Sequence, residues 1–428
     1  MAEITAPFSL DRGKTAAELC AERSQRIVDA TNLRQPDRIP LFLMFGHLPA
    51  DLAGITRQEM YENPEAGREA LAQAALRFQP DTCLGAFGSP GLSRALGDRM
   101  TKWPGYGLDA NQSFQYQEAE FMKAEDYDAF LADPTDWAIR KYLPRVFKEL
   151  EGLAILPPLG IGLLGYFGLA SHAPVLRMPA VSSALRALAE AADAQGAVVE
   201  ETIATIAKLA DLGFPPCPFF AGGHISAPFD FIGDTLRGMR GVFTDIRRCP
   251  DKLLAAEEKI TPIILEAALS ACRRNHATHA CVPLHRGSDG FMSLEVFERF
   301  YWPQLKQMIL AVIAEGITPF VLWEGTWDQR LKYLLELPKG KTIGVFQSGD
   351  LFRVKEVLGE TMCIVGGMPV TMLVGSPAEE VRDYTRRLCL ELGRGGGFIM
   401  STDIGEMEGC NPELIDVWVE ATREYGAY

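Results

Sequence analysis

The feature that most constrains this 428-residue chain is a series of short apolar runs that each end in a polar residue. Residues 320–324 read Phe-Val-Leu-Trp-Glu, and similar runs end at His285, Gln347 and Asp403. Helical patterns separate several of these runs, at 293–315, 327–336, 350–358 and 377–393. Roughly eight or nine short strands, mostly alternating with helices, predict an α/β fold of the (β/α)8 TIM-barrel type rather than an open doubly wound sheet.

The predicted strands define the expected domain organisation. Residues 88–140 are irregular and rich in Gly, Pro and aromatic residues, which predicts an insertion that forms a lid or a pocket wall. Without repeats or low-complexity linkers, the expected domains are an N-terminal extension at 1–24 and one barrel at 25–428. The predicted strands are 39–45, 81–87, 153–157, 214–221, 277–285, 318–324, 342–347, 362–366 and 397–402.

Charge and cysteine content exclude several functional classes. The net charge of −14 argues against binding to nucleic acid or to an anionic membrane surface, because both attract a surplus of Lys and Arg. No apolar stretch approaches the ~20 residues of a membrane-spanning helix, and residues 1–14 lack the apolar core of a signal peptide. Nine irregularly spaced cysteines without a CxxC motif indicate reduced thiols and a cytoplasmic protein.

Barrel enzymes build their active sites at the carboxyl ends of the strands, so the polar tips are the candidate catalytic residues. Glu324 is predicted to act as a metal ligand or a general acid/base; the alternative is a carboxylate that caps a helix or forms an ion pair. His285 suits proton transfer or metal binding, and the alternative is a loop histidine bonded to Asp289.

Six further residues are predicted to bind substrate. Arg286 suits an anionic or carbonyl group, the Gln347 amide suits oriented hydrogen bonds, and glycines beside His224 let the backbone approach a ligand. The alternatives are a surface ion pair for Arg286 and an ordinary glycine turn at His224. For Asp403, and for the nearby Glu406, the alternative is a solvated loop charge. The predicted substrate-binding residues are His47, His224, Arg286, Trp323, Gln347 and Asp403.

Three motifs carry a family resemblance. They are Pro36-Asp37-Arg38-Ile39-Pro40, Ser293-Leu294-Glu295-Val296-Phe297, and Gly395-Gly396-Gly397-Phe398-Ile399 followed by Asn411-Pro412-Glu413 and a terminal helix. Together they resemble the uroporphyrinogen decarboxylase superfamily over roughly residues 25–428. That superfamily contains the decarboxylase and cobalamin-dependent methyltransferases that use the same barrel, so the resemblance implies a barrel enzyme.

The departures from the family pattern restrict the expected chemistry. The Arg-rich motif of the decarboxylase is replaced by Met44-Phe45-Gly46-His47, no acid stands at 86–88, and its late histidine falls at Ile404. A porphyrinogen with many carboxylates needs cationic partners, so true uroporphyrinogen decarboxylation is not expected. The His-x-Cys zinc pair of the methyltransferases falls on Leu322 and Glu324, and their later Cys falls at Asp403-Ile404.

The resemblance therefore implies methyl transfer, or demethylation, from a small, largely apolar donor such as a methyl ether to a corrinoid protein. Cobalamin is expected on that partner. A zinc ion is expected at Glu324 and His285, and its remaining ligands would come from Asp289, Asp403, Glu406, Cys363 or Cys410. Two alternatives stay open: a lyase that decarboxylates a small carboxylic acid, and a non-catalytic barrel that binds a tetrapyrrole or corrinoid. A homodimer is expected by analogy.

Overall fold

The computed structural model describes residues 13–86, 88–164, 166–403 and 406–428. Two positions named above, Phe87 and Ile404, lie outside the described residues. The chain forms two compact units. The first contains the residues before 88, residues 204–228 and residues 261–428, and the second contains residues 88–203 and 229–260. The second unit includes the predicted insertion at 88–140 and extends well beyond it.

The described residues contain ten strands, numbered in chain order. They are β1 (Phe42–Gly46), β2 (Thr82–Gly85), β3 (Thr101–Pro104), β4 (Gly107–Leu108), β5 (Gln115–Tyr116), β6 (His279–Leu284), β7 (Thr318–Thr326), β8 (Ile343–Ser348), β9 (Cys363–Met368) and β10 (Phe398–Thr402). The three short strands β3, β4 and β5 form their own sheet in the second unit.

The α-helices of the described residues are numbered in the same way. They are α1 (Ala16–Thr31), α2 (Leu48–Ala53), α3 (Arg57–Glu62), α4 (Pro64–Phe78), α5 (Pro90–Leu96), α6 (Tyr127–Ala132), α7 (Pro134–Trp137), α8 (Leu143–Val146), α9 (Gly168–Leu176), α10 (Pro179–Asp211), α11 (Pro228–Asp230), α12 (Gly238–Arg248), α13 (Pro250–Arg274), α14 (Leu294–Val296), α15 (Trp302–Ala314), α16 (Leu331–Leu334), α17 (Leu351–Leu358), α18 (Val370–Gly375), α19 (Ala378–Leu392) and α20 (Pro412–Tyr425). Within the described ranges, no helix combines the length and the apolar character needed to cross a membrane.

The strands of the first unit form the predicted (β/α)8 barrel. Strands β6 to β10 make a parallel sheet in which each strand pairs with the next, and β1 pairs in parallel with β2. A bridge between Leu41 and Met400 joins the start of β1 to β10, and a bridge between His224 and Cys281 joins residues 217–225 to β6. The ring therefore runs β1, β2, 217–225 and β6 to β10, and returns to β1.

Two predicted strands are absent from the structure, and proline explains both. The 153–157 prediction falls largely in a 3-10 helix, Lys148–Ile155, which is followed by two prolines. The 214–221 prediction contains three prolines and a short 3-10 helix, Pro218–Phe220. Proline has no N–H to donate to a strand ladder. Apart from the His224–Cys281 bridge, side chains hold the third position of the ring: the Phe219 ring contacts those of Phe42 and Phe320, at centroid distances of 5.1 and 4.5 Å.

Helix α1 crosses the predicted domain boundary. It begins at Ala16, after the N-cap Thr15, whose hydroxyl accepts a hydrogen bond from the Glu18 N–H while the Glu18 carboxylate accepts one from the Thr15 N–H. The predicted start of the barrel at residue 25 lies in the middle of this helix. Ile27 and Ala30 on its buried face belong to the barrel's hydrophobic core, so the helix packs as part of the first unit.

Alternate side chains fill the interior of the barrel, because successive residues of a strand point to opposite faces. One buried cluster contains Phe42, Met44, Cys281, Phe320, Ile343, Val345, Cys363, Val365 and Ile399, with Leu322 and Leu84 packed against it. Counting four residues onward from the inward members Cys281, Phe320, Ile343 and Ile399 gives the four predicted polar tips. These are His285, Glu324, Gln347 and Asp403.

A buried ion pair joins the amino-terminal ends of β1 and β2. The fully buried Asp81 carboxylate accepts hydrogen bonds from Arg38 at 2.7 and 2.8 Å, from Arg26 at 3.1 Å and from the Leu41 N–H at 2.8 Å. Burial alone would raise the pKa of Asp81, but the two guanidinium groups and the N–H lower it, so the carboxylate stays ionised. Arg38 belongs to the opening motif of the family resemblance, and its role here is structural.

Replacing Asp81 by Asn should destabilise the protein by roughly 3 kcal/mol or more, because two buried guanidinium groups lose their shared counter-charge. The free energy of unfolding in urea measures the loss. Glu391→Gln is the matched control: its pair with Arg387 is about half exposed, so the change should cost less than about 1 kcal/mol. Equal costs for the two variants would contradict a structural role for Asp81.

His279 makes stability depend on pH. It is 8% exposed at the start of β6, and burial lowers its pKa to about 4. In the unfolded chain His279 has a pKa of about 6.5, so the unfolded state binds the proton before the folded state does. Stability is therefore lost as the pH falls from about 6.5 to about 4. Between pH 7 and 5 the His279 contribution should be about 2 kcal/mol. His279→Gln should lose less stability than wild type over this range in urea titrations, whereas the exposed His276→Gln should match wild type.

Candidate active site

Glu324 and His285 form the centre of the candidate site. Their Oε1 and Nε2 atoms lie 3.6 Å apart, and the two side chains are 36% and 38% exposed. The register of β7 is irregular after Trp323, yet this contact and the electrostatic effect of Glu324 on the inward Cys281 place the carboxylate on the inner side of the barrel. Both groups face each other and remain open to solvent, as a proton-transfer pair requires.

His224 lies behind this pair. Its backbone bridges to Cys281 on β6. Burial lowers the pKa of His224, and the nearby His285 lowers it further, since two imidazolium charges repel. His224 is therefore neutral at neutral pH. The structure thus brings together three of the residues predicted from sequence.

Gln347 fixes the backbone next to Glu324. The Gly325 N–H donates to Gln347 Oε1 at 2.5 Å, and Gly325 has φ +75°, which a residue with a side chain rarely adopts. On the other side, Trp327 Nε1 donates to the Glu324 carbonyl oxygen at 2.8 Å. The acid is held by bonds from β8 and from the segment after β7. Gln347, predicted to bind substrate, also makes this hydrogen bond to the residue that follows Glu324.

The loop after β6 is tied to the loop after β7. The Asp289 N–H donates to the Thr326 carbonyl at 2.7 Å, and the Asp289 carboxylate pairs with the buried Arg330. Arg330 also donates to the Met292 carbonyl at 2.5 Å. Gly287 packs directly on the Trp327 ring. These contacts hold the loop that carries His285 against the strand that carries Glu324.

Three other residues predicted to bind substrate also contact neighbouring groups of the chain. Trp323 is fully buried on the opposite face of β7 from Glu324; it meets Trp327 edge-to-face at a centroid distance of 4.8 Å and stacks on Phe346 at 6.0 Å. The Arg286 guanidinium lies 5.3 Å from the Phe291 ring centroid. Asp403 accepts from the Val370 N–H at 3.2 Å and so caps the start of α18.

His47 belongs to a second group of polar residues, at the tip of β1. Its Nδ1 contacts the Glu408 carboxylate, and its Nε2 lies 2.8 Å from the Tyr61 hydroxyl. One ligand atom each from His47, Glu406 and Glu408 all lie within 4.8 Å of one another. Partial burial raises the pKa of the Glu406 carboxyl, and the neighbouring Glu408 raises it further.

Sequence reasoning named His47 and Glu406 but missed Glu408, Tyr61 and Arg57. The one local signal was the Glu-x-Glu spacing at 406–408 after the last strand. Tyr61 and Arg57 lie on the short helix α3, which carries no strand-end pattern. They join this group because α3 packs near the tip of β1. No periodicity in the sequence predicts that packing.

The pair of Glu324 and His285 does not by itself fit a zinc ion. Zinc sites take three or four protein ligands. Among the described residues, the group of three potential ligands with atoms within 4.8 Å of one another is His47, Glu406 and Glu408, and it includes neither Glu324 nor His285. Of the proposed completing residues, Cys363 lies buried in the barrel core and Asp289 pairs with Arg330. The geometry of Glu324 and His285 suits a proton more than a metal.

Gly287→Ala should destabilise the protein by roughly 1 to 3 kcal/mol, since the added Cβ would overlap the rings of Tyr301 and Trp327 and overpack a rigid contact. Thermal unfolding measures the effect. Gly290→Ala, in the same loop, is the control because an added Cβ there meets no atom within 4 Å. If both variants melt like wild type, the loop is not held as described.

Comparisons with known proteins agree with the fold. The family model of uroporphyrinogen decarboxylase (URO-D) matches residues 154–425. A solved methyltransferase from Methanosarcina mazei is similar, with a TM-score of 0.59 and 16% identity over 94% of this chain and 98% of the other. A sequence search of curated proteins gave no match. The eight-membered ring, its polar strand tips and the family match lead to one assignment: the chain belongs to the uroporphyrinogen decarboxylase family.

Proposed function

We propose that this protein transfers a methyl group from a small, largely apolar methyl donor to a corrinoid carried by a partner protein. The observation that carries the proposal is the Glu324–His285 pair, whose facing atoms lie 3.6 Å apart at the carboxyl ends of β7 and β6. The departures from the decarboxylase pattern, and the methyltransferase among the similar structures, support methyl transfer over porphyrinogen decarboxylation.

The residues beneath the pair favour an apolar donor. Leu322 precedes Glu324 on the inner face of β7, and Leu84 on β2 packs against the same core; both keep some exposure. Met44 and Val345 complete this layer and are nearly buried. A methyl group with a compact apolar body gains from contact with such a surface. A multiply charged acid finds no matching set of cations there among the described residues of this layer.

The proposed chemistry needs one proton. When a methyl ether is demethylated, the C–O bond breaks and its electron pair goes to oxygen, which leaves poorly unless it is protonated. Glu324 donates that proton in our proposal, and His285 takes up a proton from solvent and returns it to the carboxylate. Neutral His224 helps to keep a second positive charge away from His285.

The corrinoid supplies the nucleophile that accepts the methyl group. In our proposal it arrives over the carboxyl ends of the strands, where Glu324 and His285 are exposed. Gln347, through its bond to Gly325, keeps the acid turned toward the donor. Asp289 and Arg330 keep His285 within reach of the acid while the partner is bound.

Glu324→Gln should lower methyl transfer at least about 100-fold, because an amide cannot donate the required proton. The assay incubates the purified chain with a panel of methoxylated aromatics, methanol and methylamines, and follows methyl transfer to added cob(I)alamin by absorbance. His285→Gln should lower the rate similarly. Glu356→Gln, on the exposed side of α17, is the control and should keep the wild-type rate.

Full turnover by Glu324→Gln would contradict the assignment of the acid. Release of CO2 from a small carboxylic acid, without any methyl transfer, would replace the proposal by the lyase alternative. Inactivity of wild type with every donor, in the presence of cob(I)alamin, would count against methyl transfer.

A further inference from the structure

Three electron-pair donors converge at the tip of β1. They are one imidazole nitrogen of His47 and one carboxylate oxygen from each of Glu406 and Glu408, all within 4.8 Å of one another. The donors come from chain segments about 360 positions apart, since His47 and Glu408 are separated by 361 residues. Such a meeting is produced by the closed ring, in which β10 lies beside β1, and local sequence does not impose it.

The surroundings of His47 resemble those of a metal-bound histidine. The side chain is 3% exposed, and its Nε2 lies 2.8 Å from the Tyr61 hydroxyl. Without a cation, a proton on Nδ1 donates to the Glu408 carboxylate. A cation that replaces this proton would take the Nδ1 lone pair, and the proton on Nε2 would then be donated to the Tyr61 hydroxyl. Metal-binding histidines have their second nitrogen held by an outer partner in this way, which fixes the ring and its tautomer.

Glu408 is held from outside in the same manner. Arg57 Nη1 donates to Glu408 Oε2 at 3.0 Å, while Glu408 Oε1 contacts His47. Arg57 also lies 3.9 Å from Asp51. Three carboxylates, Glu406, Glu408 and Asp51, and one guanidinium have formal charges that sum to −2. A divalent cation between the inward-facing donors balances that charge.

The backbone leaves room for Glu406. Gly46 has φ +55°, and a Cβ built on it would lie 3.0 to 3.2 Å from three carbons of the Glu406 side chain. A larger residue at 46 would be strained by its φ and would press on Glu406. Glu406 is exposed, whereas His47 is buried. A cation held here therefore keeps a side open to solvent or to a ligand.

From these contacts we infer that His47, Glu406 and Glu408 bind one divalent cation at the rim of the barrel, at a site distinct from the Glu324–His285 pair. One imidazole and two carboxylates suit Zn²⁺, Mn²⁺ or Fe²⁺, and the absence of a thiolate from this group disfavours Cu⁺. The inference does not depend on methyl transfer. With three protein ligands and an open side, the cation can bind a water or a substrate oxygen.

The test measures metal binding without turnover. The full chain is stripped with a chelator, and Zn²⁺ alone, then Mn²⁺ alone, is titrated by calorimetry, with metal content measured by mass spectrometry. Wild type should take up about one ion per chain. Glu406→Gln and Glu408→Gln should each weaken binding at least about 100-fold, and Tyr61→Phe, which removes an outer contact, by about 10-fold. Glu420→Gln, exposed on α20, is the control and should bind like wild type.

Two further measurements separate this site from the catalytic pair. Glu324→Gln should keep wild-type metal affinity. The Co²⁺-loaded protein should show a spectrum of nitrogen and oxygen ligands without a thiolate charge-transfer band. Circular dichroism and thermal unfolding confirm that each variant is folded.

The inference is overturned if stripped wild type binds neither ion, or if the Glu406 and Glu408 variants bind as tightly as wild type. Loss of binding in Glu324→Gln with retention in the other variants would also overturn it, and would move the metal to the catalytic pair. Failure of the metal site at His47 leaves methyl transfer untouched, whereas a metal at Glu324 would change only the role proposed for that carboxylate.

Discussion

The two-residue alternation of side chains along parallel strands is the constraint on which the rest of this structure depends. On β7, Phe320 and Leu322 fill the barrel interior, whereas Val321 and Trp323 face outward. The same period on β6 and β8 carries the inward series to polar residues at the mouth. A slip of one residue would exchange the two faces and bury the acid among helices. The register that packs the core therefore also places the chemistry.

Much of this architecture follows from the sequence. The apolar runs predict seven of the strands because parallel strands buried on both faces are continuously apolar. Prolines at 215, 216 and 218 prevent an eighth ladder, so that position pairs with β6 only through the bridge at His224. Counting alternate residues back from Glu324 also shows that Trp323 faces the other way. The grouping of Glu408 with Tyr61 and Arg57 has no local sign, since it arises only when the ring closes.

The first of the three motifs that carry the family resemblance and the residues proposed to carry the chemistry lie at opposite ends of the strands. Arg38 binds buried Asp81 and ties the amino-terminal ends of β1 and β2 together. Glu324, by contrast, lies near the carboxyl end of β7. A family can keep the first arrangement and change the second, because stability and reactivity are built from different side chains. Membership of the family therefore predicts the barrel fold, whereas the reaction depends on the residues at the carboxyl ends of the strands.

The hydrogen bond from the Gly325 N–H to Gln347 makes the position of Glu324 depend on two strands, β7 and β8. The Glu324 carboxylate belongs to β7, but the backbone beside it is hydrogen-bonded to the Gln347 side-chain amide on β8. A substitution at Gln347 would therefore alter how the proposed acid is held, although Glu324 itself stays unchanged. A comparison of related proteins at position 324 alone would miss such a change. Position 347 on β8 is where we expect a change in donor preference to appear first.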